Sequence, residues 1–249
     1  MQIAYQSSTG MVRDKNEDAV GMFRSSKGVS LAIIADGIGG NRGGEVASQM
    51  TVSYLGNQFE TNNLTDINSV KQWFATELIT VNQQILDYAA NNSDLEGMGT
   101  TLVAAILNGK QVIVANIGDS RGYILRNDNL VQLTEDHSYV NELVKNGNLT
   151  PAEAEHNPYK NIITKSLGIN MDATADYHEY PIKLGDQLLL CTDGLTNMVS
   201  PEDIKAILSR DVSIDEKCIE LVKRANQNGG TDNITVLLIL ADTEVIDNA

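Results

Sequence analysis

Three aspartates in this sequence share one local context, because each lies next to an apolar segment typical of a buried strand. Asp36 follows the apolar run at 31–35 and precedes a glycine. Asp193 follows a second such run and also precedes a glycine, and Asp232 directly precedes the last apolar run. A single Asp-Gly pair is a common turn dipeptide. If the strand ends converge on one rim, however, the carboxylates repel each other unless a cation neutralises them.

A fourth aspartate, Asp119, lies between Gly118 and Ser120 at another predicted strand end. Carboxylate oxygens are the ligands that Mg²⁺ and Mn²⁺ prefer. The three histidines are not spaced relative to the cysteines as zinc ligands would be. The acidic residues therefore predict a site for a hard divalent cation.

Glycines follow Asp36 at Gly37, Gly39 and Gly40, and an amphipathic helix is predicted to open near Glu45. Glycine lets the backbone approach a ligand closely, so this turn suits either a cation or a phosphate. A dinucleotide-binding fingerprint is one alternative for such spacing. Two features oppose it: the Asp36 charge would lie beside a pyrophosphate, and the neighbouring strands resemble hairpins, whereas a doubly wound sheet is parallel.

Arg13 precedes two acidic residues, Glu17 and Asp18, in a charged segment near the start of the chain. An ion pair within this segment is one interpretation. The other is a guanidinium held by acids and directed at a phosphate, which it can bind through two hydrogen bonds.

The composition is that of an acidic globular protein of 249 residues with a formal net charge of −15. This charge argues against nucleic acid and against an anionic membrane surface as partners. Cys191 and Cys218 are too few for a disulfide framework, and Cys191 lies in an apolar run, as expected of a buried, reduced thiol. We find neither a signal peptide nor an apolar run of the ~18 residues that a membrane span needs, and we predict a cytoplasmic protein.

The remaining pattern predicts strands paired as hairpins and helices outside them. An Asn108-Gly109 turn links two apolar runs, and a second hairpin surrounds 127–129. One helix is predicted from an apolar stripe, which we expect to pack in the core. The stripe comprises Ile67, Val70, Phe74, Leu78, Val81, Ile85 and Tyr88. The polar segment 134–166 fits two short helices, one with a capping box at Thr150 and Glu153.

Taken together, eight motifs resemble the metal-dependent Ser/Thr protein phosphatases (the PPM family, type 2C), particularly the compact bacterial members. They occur in family order from Arg13 to Thr235, and the ordered set is far more specific than any one motif. The motifs are Arg13-Asp14-x-Asn16-Glu17-Asp18, Ala35-Asp36-Gly37-x-Gly39-Gly40, Gly44-Glu45-x-Ala47-Ser48, Gly97-Met98-Gly99-Thr100-Thr101, Asn116-x-Gly118-Asp119-Ser120-Arg121, Leu133-Thr134-x-Asp136-His137-Ser138, Thr192-Asp193-Gly194 and Asp232-Asn233-Ile234-Thr235.

The resemblance implies an α+β fold, a four-layer α-β-β-α sandwich of two antiparallel sheets flanked by helices. It implies a single catalytic domain over 1–249 with a small helical flap at about 136–166. It also implies two metals at one end of the sandwich. Asp36 would bridge both metals, and Asp193 and Asp232 would complete the first site.

The second site would use the carbonyl of Gly37, with Glu17 binding directly or through water. By the same resemblance, Asp18 would hold a metal-bound water and Arg13 would bind the substrate phosphate. Asp119, with Asp193, matches the position of a third, weaker metal. Asn233 is expected to be a structural neighbour of Asp232.

The implied activity is hydrolysis of phosphoserine and phosphothreonine in proteins by metal-activated water, with Mn²⁺ or Mg²⁺ as cofactor and without a covalent intermediate. The implied partners are phosphorylated proteins and a bacterial Ser/Thr protein kinase that the enzyme opposes, and we expect a monomer. A catalytically silent relative that acts as a binding module is the second alternative.

Two positions, Ile38 and Lys165, depart from the family pattern, and the flap is a segment that varies within the family. Ile38 stands where some eukaryotic relatives carry a histidine proposed as general acid, and His137 is a distant candidate for that role or a structural histidine at the flap base. Lys165 stands where relatives often have arginine, and we assign it no site role. We predict that the flap affects the choice of protein substrate.

Overall fold

The structure, a computed structural model, describes residues 1–39 and 43–242, so Gly40 of the predicted glycine turn lies outside the described residues. The strands of this part of the chain are β1 (Gln2–Ser8), β2 (Ala19–Arg24), β3 (Ser30–Ala35), β4 (Gly37–Ile38), β5 (Gly99–Thr100), β6 (Leu102–Asn108), β7 (Gln111–Ile117), β8 (Arg121–Arg126), β9 (Asn129–Gln132), β10 (Asp176–Pro181), β11 (Gln187–Cys191) and β12 (Ile234–Leu240). The α-helices are α1 (Gly44–Glu60), α2 (Ile67–Asn91), α3 (Tyr139–Lys145), α4 (Pro151–Glu155), α5 (Asp193–Thr196), α6 (Pro201–Leu208) and α7 (Ile214–Gln227).

Two sheets form the centre of the molecule. Within the described residues the first has the order β1-β12-β11-β8-β9 and the second β10-β7-β6-β3-β2, and β4 pairs with β5 separately. Every strand pair in this part of the chain is antiparallel. The parallel, doubly wound alternative is therefore excluded, and with it the dinucleotide-binding interpretation.

The layers follow from how the two faces of each strand are buried. In β3, Leu31 and Ile33 pack under α1 and α2, whereas Ala32 and Ile34 pack against the other sheet. Helices α6 and α7 cover the outer face of the first sheet in the same way. Because both faces are buried, the central strands β3, β6, β11 and β12 are continuous apolar runs rather than alternating ones. The predicted four-layer α-β-β-α sandwich is confirmed.

The apolar stripe of α2 is confirmed except at its last position. Tyr88 is 46% exposed, so its assignment to the core was wrong. The inward face continues from Ile85 to Ala89, four residues on, and Ala89 packs against the core. A helix allows the next inward residue at either three or four positions, so the spacing alone did not decide between Tyr88 and Ala89.

The hairpins and the flap helices form close to where the sequence predicted them. The β8–β9 turn has positive φ at Asn127 and Asp128, as a type I′ hairpin requires. The β6–β7 ladder extends to Asn108, so its turn is one residue later than predicted. The capping box at Thr150 and Glu153 of α4 is confirmed.

The glycine-rich segment after Asp36 differs from the predicted turn, because Gly37 and Ile38 form β4 and pair with β5. Among the helices of the described residues, none has the length and apolar character to cross a bilayer.

Candidate active site

Five aspartates meet at one end of the sandwich, where loops from both sheets converge, and we call this group the acidic rim. Asp36 follows β3 in the second sheet, and Asp18 directly precedes β2 beside it. Asp193 follows β11, and Asp232 lies just before β12, both in the first sheet. Asp119 lies in the connection from β7 to β8, which links the two sheets.

Asp18 joins the two sheets through its side chain. Its Oδ2 accepts hydrogen bonds from Thr235 Oγ1 at 2.6 Å and from Thr192 Oγ1 at 3.1 Å. Its Oδ1 is buried and finds no hydrogen-bond partner among the described residues. Burial raises the pKa of Asp18 to about 7, with the charges of Asp193 and Asp232 adding to the shift and these two hydrogen bonds opposing it.

The Asp36 backbone is fixed by the β5 region. Its N–H donates to Thr101 Oγ1 at 3.0 Å, and its carbonyl accepts from Thr101 N at 2.9 Å and from Thr100 Oγ1 at 2.8 Å. Burial, followed by repulsion from the neighbouring aspartates, raises the pKa of the Asp36 carboxyl group well above its usual range. A rigid backbone thus holds a carboxylate among like charges.

Asp193 and Asp119 face each other across the rim. Burial raises the pKa of Asp193 to about 6, with repulsion from Asp232 adding to it and hydrogen bonds from Asp36 and Asn197 opposing it. Burial and then Asp193 raise the pKa of Asp119 to about 8. Oδ1 of Asp119 is a second buried oxygen without a partner in the part of the chain that the structure describes.

Arg13 pairs with Asp232, since its Nη2 lies 2.8 Å from Asp232 Oδ2. The interpretation of an ion pair within its own segment is therefore wrong, although the guanidinium is held by an acid. The neighbouring Asn233 has the expected structural role. Its Nδ2 donates to the carbonyls of Thr9 and Lys15, and its Oδ1 accepts from the N–H of Glu17.

Glu17 and Gly37 lie where β4 meets the start of α1. The Glu17 carbonyl accepts from Ser48 Oγ at 2.6 Å, and partial burial raises the pKa of the Glu17 side chain, with Arg13 opposing the shift. A Cβ on Gly37 would lie 2.4 Å from the backbone of Gly44. The close approach of these two backbones therefore requires glycine at position 37.

The donor set fits a divalent cation in its chemistry. Two buried carboxylate oxygens accept no hydrogen bond within 1–39 and 43–242, and the pKa values of four aspartates are raised in part by mutual repulsion. A cation would relieve both conditions. Among residues 1–39 and 43–242, however, no three His, Cys, Asp or Glu side chains form a group with the geometry of a metal site. Because Mg²⁺-type sites keep several waters, part of each coordination shell would come from water.

Four residues that the sequence analysis did not single out support the acidic rim. Thr192 and Thr235 bind Asp18, Thr101 fixes the Asp36 backbone, and Asn197 Nδ2 donates to Asp193 Oδ2 at 3.0 Å. The threonines belong to the recognised motifs but were indistinguishable from ordinary strand residues. Asn197 could have been found, because it lies four positions after Asp193 and α5 places such residues on one face.

The two departing positions, Ile38 and Lys165, and the candidate general acid His137 lie in different parts of the structure. Ile38 occupies β4 beside Asp36. His137 is buried at the base of the flap and contacts Gly118 and Asp176, which favours its structural interpretation. Lys165 Nζ lies 3.7 Å from Asp176 Oδ1.

A cavity of about 620 Å³ lies between the flap and the segment from α5 to α6, and Asp119 and Asp193 line its inner end. Val140, Val144 and Ala154 of the flap contribute apolar walls. The cavity therefore runs from the acidic rim along the flap, and a polypeptide could lie in it.

Known proteins share this architecture. A family model described as protein phosphatase 2C matches residues 10–238. The chain is 44% identical over 240 residues to the serine/threonine phosphatase stp of Listeria welshimeri, covering 96% of this chain and 95% of the relative. The solved structure of the S. agalactiae serine/threonine phosphatase has a TM-score of 0.94 and 39% identity, covering 97% and 99% of the two chains. The catalytic domain of the phosphatase PstP, solved with two manganese ions, has a TM-score of 0.82 and 34% identity, covering 95% and 96%.

Proposed function

The chain belongs to the protein phosphatase 2C family and is a protein serine/threonine phosphatase, and we propose that its acidic rim binds two divalent cations, Mn²⁺ or Mg²⁺, with a third, weaker one. The observation that carries this proposal is the set of five aspartates gathered from both sheets, two of them with a buried oxygen that lacks a partner among the described residues. The PstP catalytic domain, solved with two manganese ions, supports the same number of principal metals.

The proposed ligands are those that the family motifs imply. Asp36 would bridge the two principal metals, and Asp193 and Asp232 would complete the first site. The Gly37 carbonyl and Glu17 would serve the second. Asp119, together with Asp193, would hold the third cation. When bound, such cations lower the pKa of water and offset charge on phosphoryl oxygens.

The other residues of the rim would bind and orient. Asp18, held by Thr192 and Thr235 through Oδ2, keeps Oδ1 free to accept a hydrogen bond from a water. Arg13 would bind the substrate phosphate with its guanidinium, which is half exposed and reaches the rim at Asp232. Phosphorylated proteins are the substrates. A Ser/Thr kinase partner, a monomeric state, a single catalytic domain over 1–249 and a cytoplasmic location stay predictions.

The acidic rim also bears on the alternative of a silent binding module. Loss of a bridging carboxylate would be the simplest route to an inactive relative, but Asp36, Asp193 and Asp232 are all present. Activity is therefore the better-supported proposal.

The test is hydrolysis of a phosphothreonine peptide by the wild type and Asp193→Asn, with chelator, ~1 mM Mg²⁺ or ~1 mM Mn²⁺, a range suited to weak oxygen-ligand sites. We expect activity only with metal and a loss of about 10³-fold in kcat in the variant, because the removed charge serves the metals. Asp87→Asn, the same change on the exposed face of α2, is the control and should retain wild-type activity.

Activity that persists in the chelator, or that is unchanged in Asp193→Asn, would contradict the metal assignment. Absence of turnover with every metal, with metal binding intact, would favour the silent module.

A further inference from the structure

His137 connects the flap to the peptide that carries Asp119. Its backbone N–H donates to the Gly118 carbonyl at 2.9 Å, and the Gly118 N–H donates to its ring Nδ1 at 3.1 Å. Gly118 is the residue directly before Asp119. Two hydrogen bonds from one histidine therefore fix the peptide on the N-terminal side of a proposed metal ligand.

Asp176 lies on the side of the ring where this contact requires the proton, as a charged neighbour of Nε2 rather than as an aligned hydrogen-bond acceptor. Nδ1 can accept from Gly118 only if the ring proton is on Nε2, and Nε2 lies 3.2 Å from Asp176 Oδ2. A carboxylate beside one ring nitrogen favours the proton there. Burial lowers the pKa of His137, which keeps the ring neutral and Nδ1 free to accept.

Gly118 has little freedom of its own. Its φ is +99°, and a Cβ there would lie 2.6 Å from Thr101 Cγ2. Thr101 also fixes the Asp36 backbone. The Gly118 peptide is thus held between Thr101 on one side and His137 on the other. Replacing the histidine side chain leaves the Gly118 N–H without its acceptor, whereas the backbone hydrogen bond to the Gly118 carbonyl stays.

The same histidine is hydrogen-bonded to the C-terminal end of the flap. The His137 carbonyl accepts from Thr164 N at 2.9 Å, and Tyr139 N donates to the Ile162 carbonyl at 2.8 Å. The two ends of the flap therefore meet at His137, and a displacement of the flap base reaches Gly118 through one residue.

We propose that His137 is a positioning residue that holds the Gly118–Asp119 peptide. It would thereby keep Oδ1 of Asp119, which accepts no hydrogen bond from the described residues, facing the third cation. The inference rests on the metal role proposed for Asp119. His137 does not touch the cation or the substrate. It acts through the backbone, and it makes binding of the weakest metal depend on an intact flap base.

The test is Mn²⁺ binding measured by calorimetry without substrate, in the wild type, Asp119→Ala, His137→Leu and the double variant. We expect His137→Leu to weaken the weakest binding step about 10-fold, the lower end of the range for residues behind a ligand. In the Asp119→Ala background the same change should have no further effect, since the ligand is already absent. His156→Leu, the same substitution at an exposed position of the flap, should bind as the wild type does.

A rescue variant separates positioning from general damage to the fold. Asn places an acceptor near the position of Nδ1, so His137→Asn should recover most of the lost affinity, whereas His137→Leu should not. The ¹⁵N spectrum of labelled histidine in chelator provides a second readout that needs no variant, and we expect the Nε2–H tautomer at His137. The Nδ1–H tautomer would overturn the proposal.

The outcomes for the two proposals are distinct. If Asp119→Ala leaves Mn²⁺ binding unchanged, the metal role of Asp119 is wrong. If Asp119→Ala weakens binding but His137→Leu does not, or if the two losses simply add, only the positioning role of His137 is overturned.

Discussion

Arg13 and Asp232 form an ion pair of 2.8 Å although 219 positions separate them in the chain. Asp232 is also a proposed ligand of the first metal, so the guanidinium and the cation would share one carboxylate. The pair is partly exposed, and such pairs contribute little to stability on their own. Its significance is that it holds Arg13 at the rim where a phosphate would bind.

Arg13→Ala should therefore weaken phosphate binding without weakening metal binding. We expect the KM for a phosphothreonine peptide to rise about 10-fold, since a charge-assisted hydrogen bond contributes about 1.5–3 kcal/mol. The affinity for Mn²⁺ should stay equal or increase, because Asp232 loses a competing cation. Steady-state kinetics and calorimetry give the two quantities. A weaker Mn²⁺ affinity in Arg13→Ala would contradict this account, and Arg13→Lys should be intermediate in KM.

Thr235→Val tests the support of Asp18. The variant removes the 2.6 Å hydrogen bond to a carboxylate whose other oxygen already lacks a described partner. We expect the free energy of unfolding in chelator to fall by about 1–3 kcal/mol, the cost of an unsatisfied buried group. Urea denaturation measures the change. Thr80→Val, on the exposed face of α2, should change it far less, and equal effects of the two variants would count against a special role for Thr235.

The metal-free protein should lose stability as the pH rises. The pKa values of Asp193, Asp18 and Asp119 are raised to about 6, 7 and 8 by burial and mutual repulsion. The folded state then binds more protons than the unfolded state, so the stability present below the ordinary carboxyl pKa is lost as pH rises through these values. In chelator we expect the free energy of unfolding to be lower at about pH 8 than at about pH 5, by on the order of 2 kcal/mol.

Saturating Mn²⁺ should remove or reverse this dependence, because a bound cation favours the ionised carboxylates. Urea titrations at the two pH values, with and without Mn²⁺, measure the effect. In chelator, Asp119→Asn should make the free energy of unfolding depend less on pH. A metal-free protein that gains stability with rising pH would show that the carboxylates are ionised without a cation.

The cavity between the flap and the segment from α5 to α6 allows a test of the predicted role of the flap in substrate choice. Ala154 lines the cavity, whereas Ala152 is exposed on the same short helix and does not. Ala154→Phe should raise the KM for phosphopeptides about 10-fold and change their ranking, while hydrolysis of p-nitrophenyl phosphate stays unchanged. A 10-fold change corresponds to a loss of about 1.4 kcal/mol of binding free energy. Ala152→Phe is the matched control. An unchanged peptide ranking in Ala154→Phe would refute the role of this cavity.

The sequence predicted the fold and the acidic rim well because both leave local signals. Strands buried on two faces are continuous apolar runs, and Asp36 and Asp193 each follow such a run. The partner of Arg13 was not predictable in this way, since Asp232 is distant in the chain and two acids lie much closer. Thr192 and Thr235 were missed for a related reason: a strand threonine that donates to a carboxylate has the same local pattern as one that only packs. Tyr88 failed because a helical stripe allows either of two adjacent positions.

Strand β1 pairs along its whole length with β12, which lies beside it in the first sheet but comes latest of that sheet's strands in the chain. During synthesis, β1 and the segment carrying Arg13, Glu17 and Asp18 emerge early, but their partner at 234–240 emerges more than 200 residues later. β1 therefore stays without β12 until residues 234–240 have been made, and a nascent chain shorter than 232 residues lacks Asp232. An antiparallel pair of such long separation forms slowly. The nascent protein is thus expected to be inactive until β12 has left the ribosome. Until then β1 lacks this partner and needs protection from pairing with other chains.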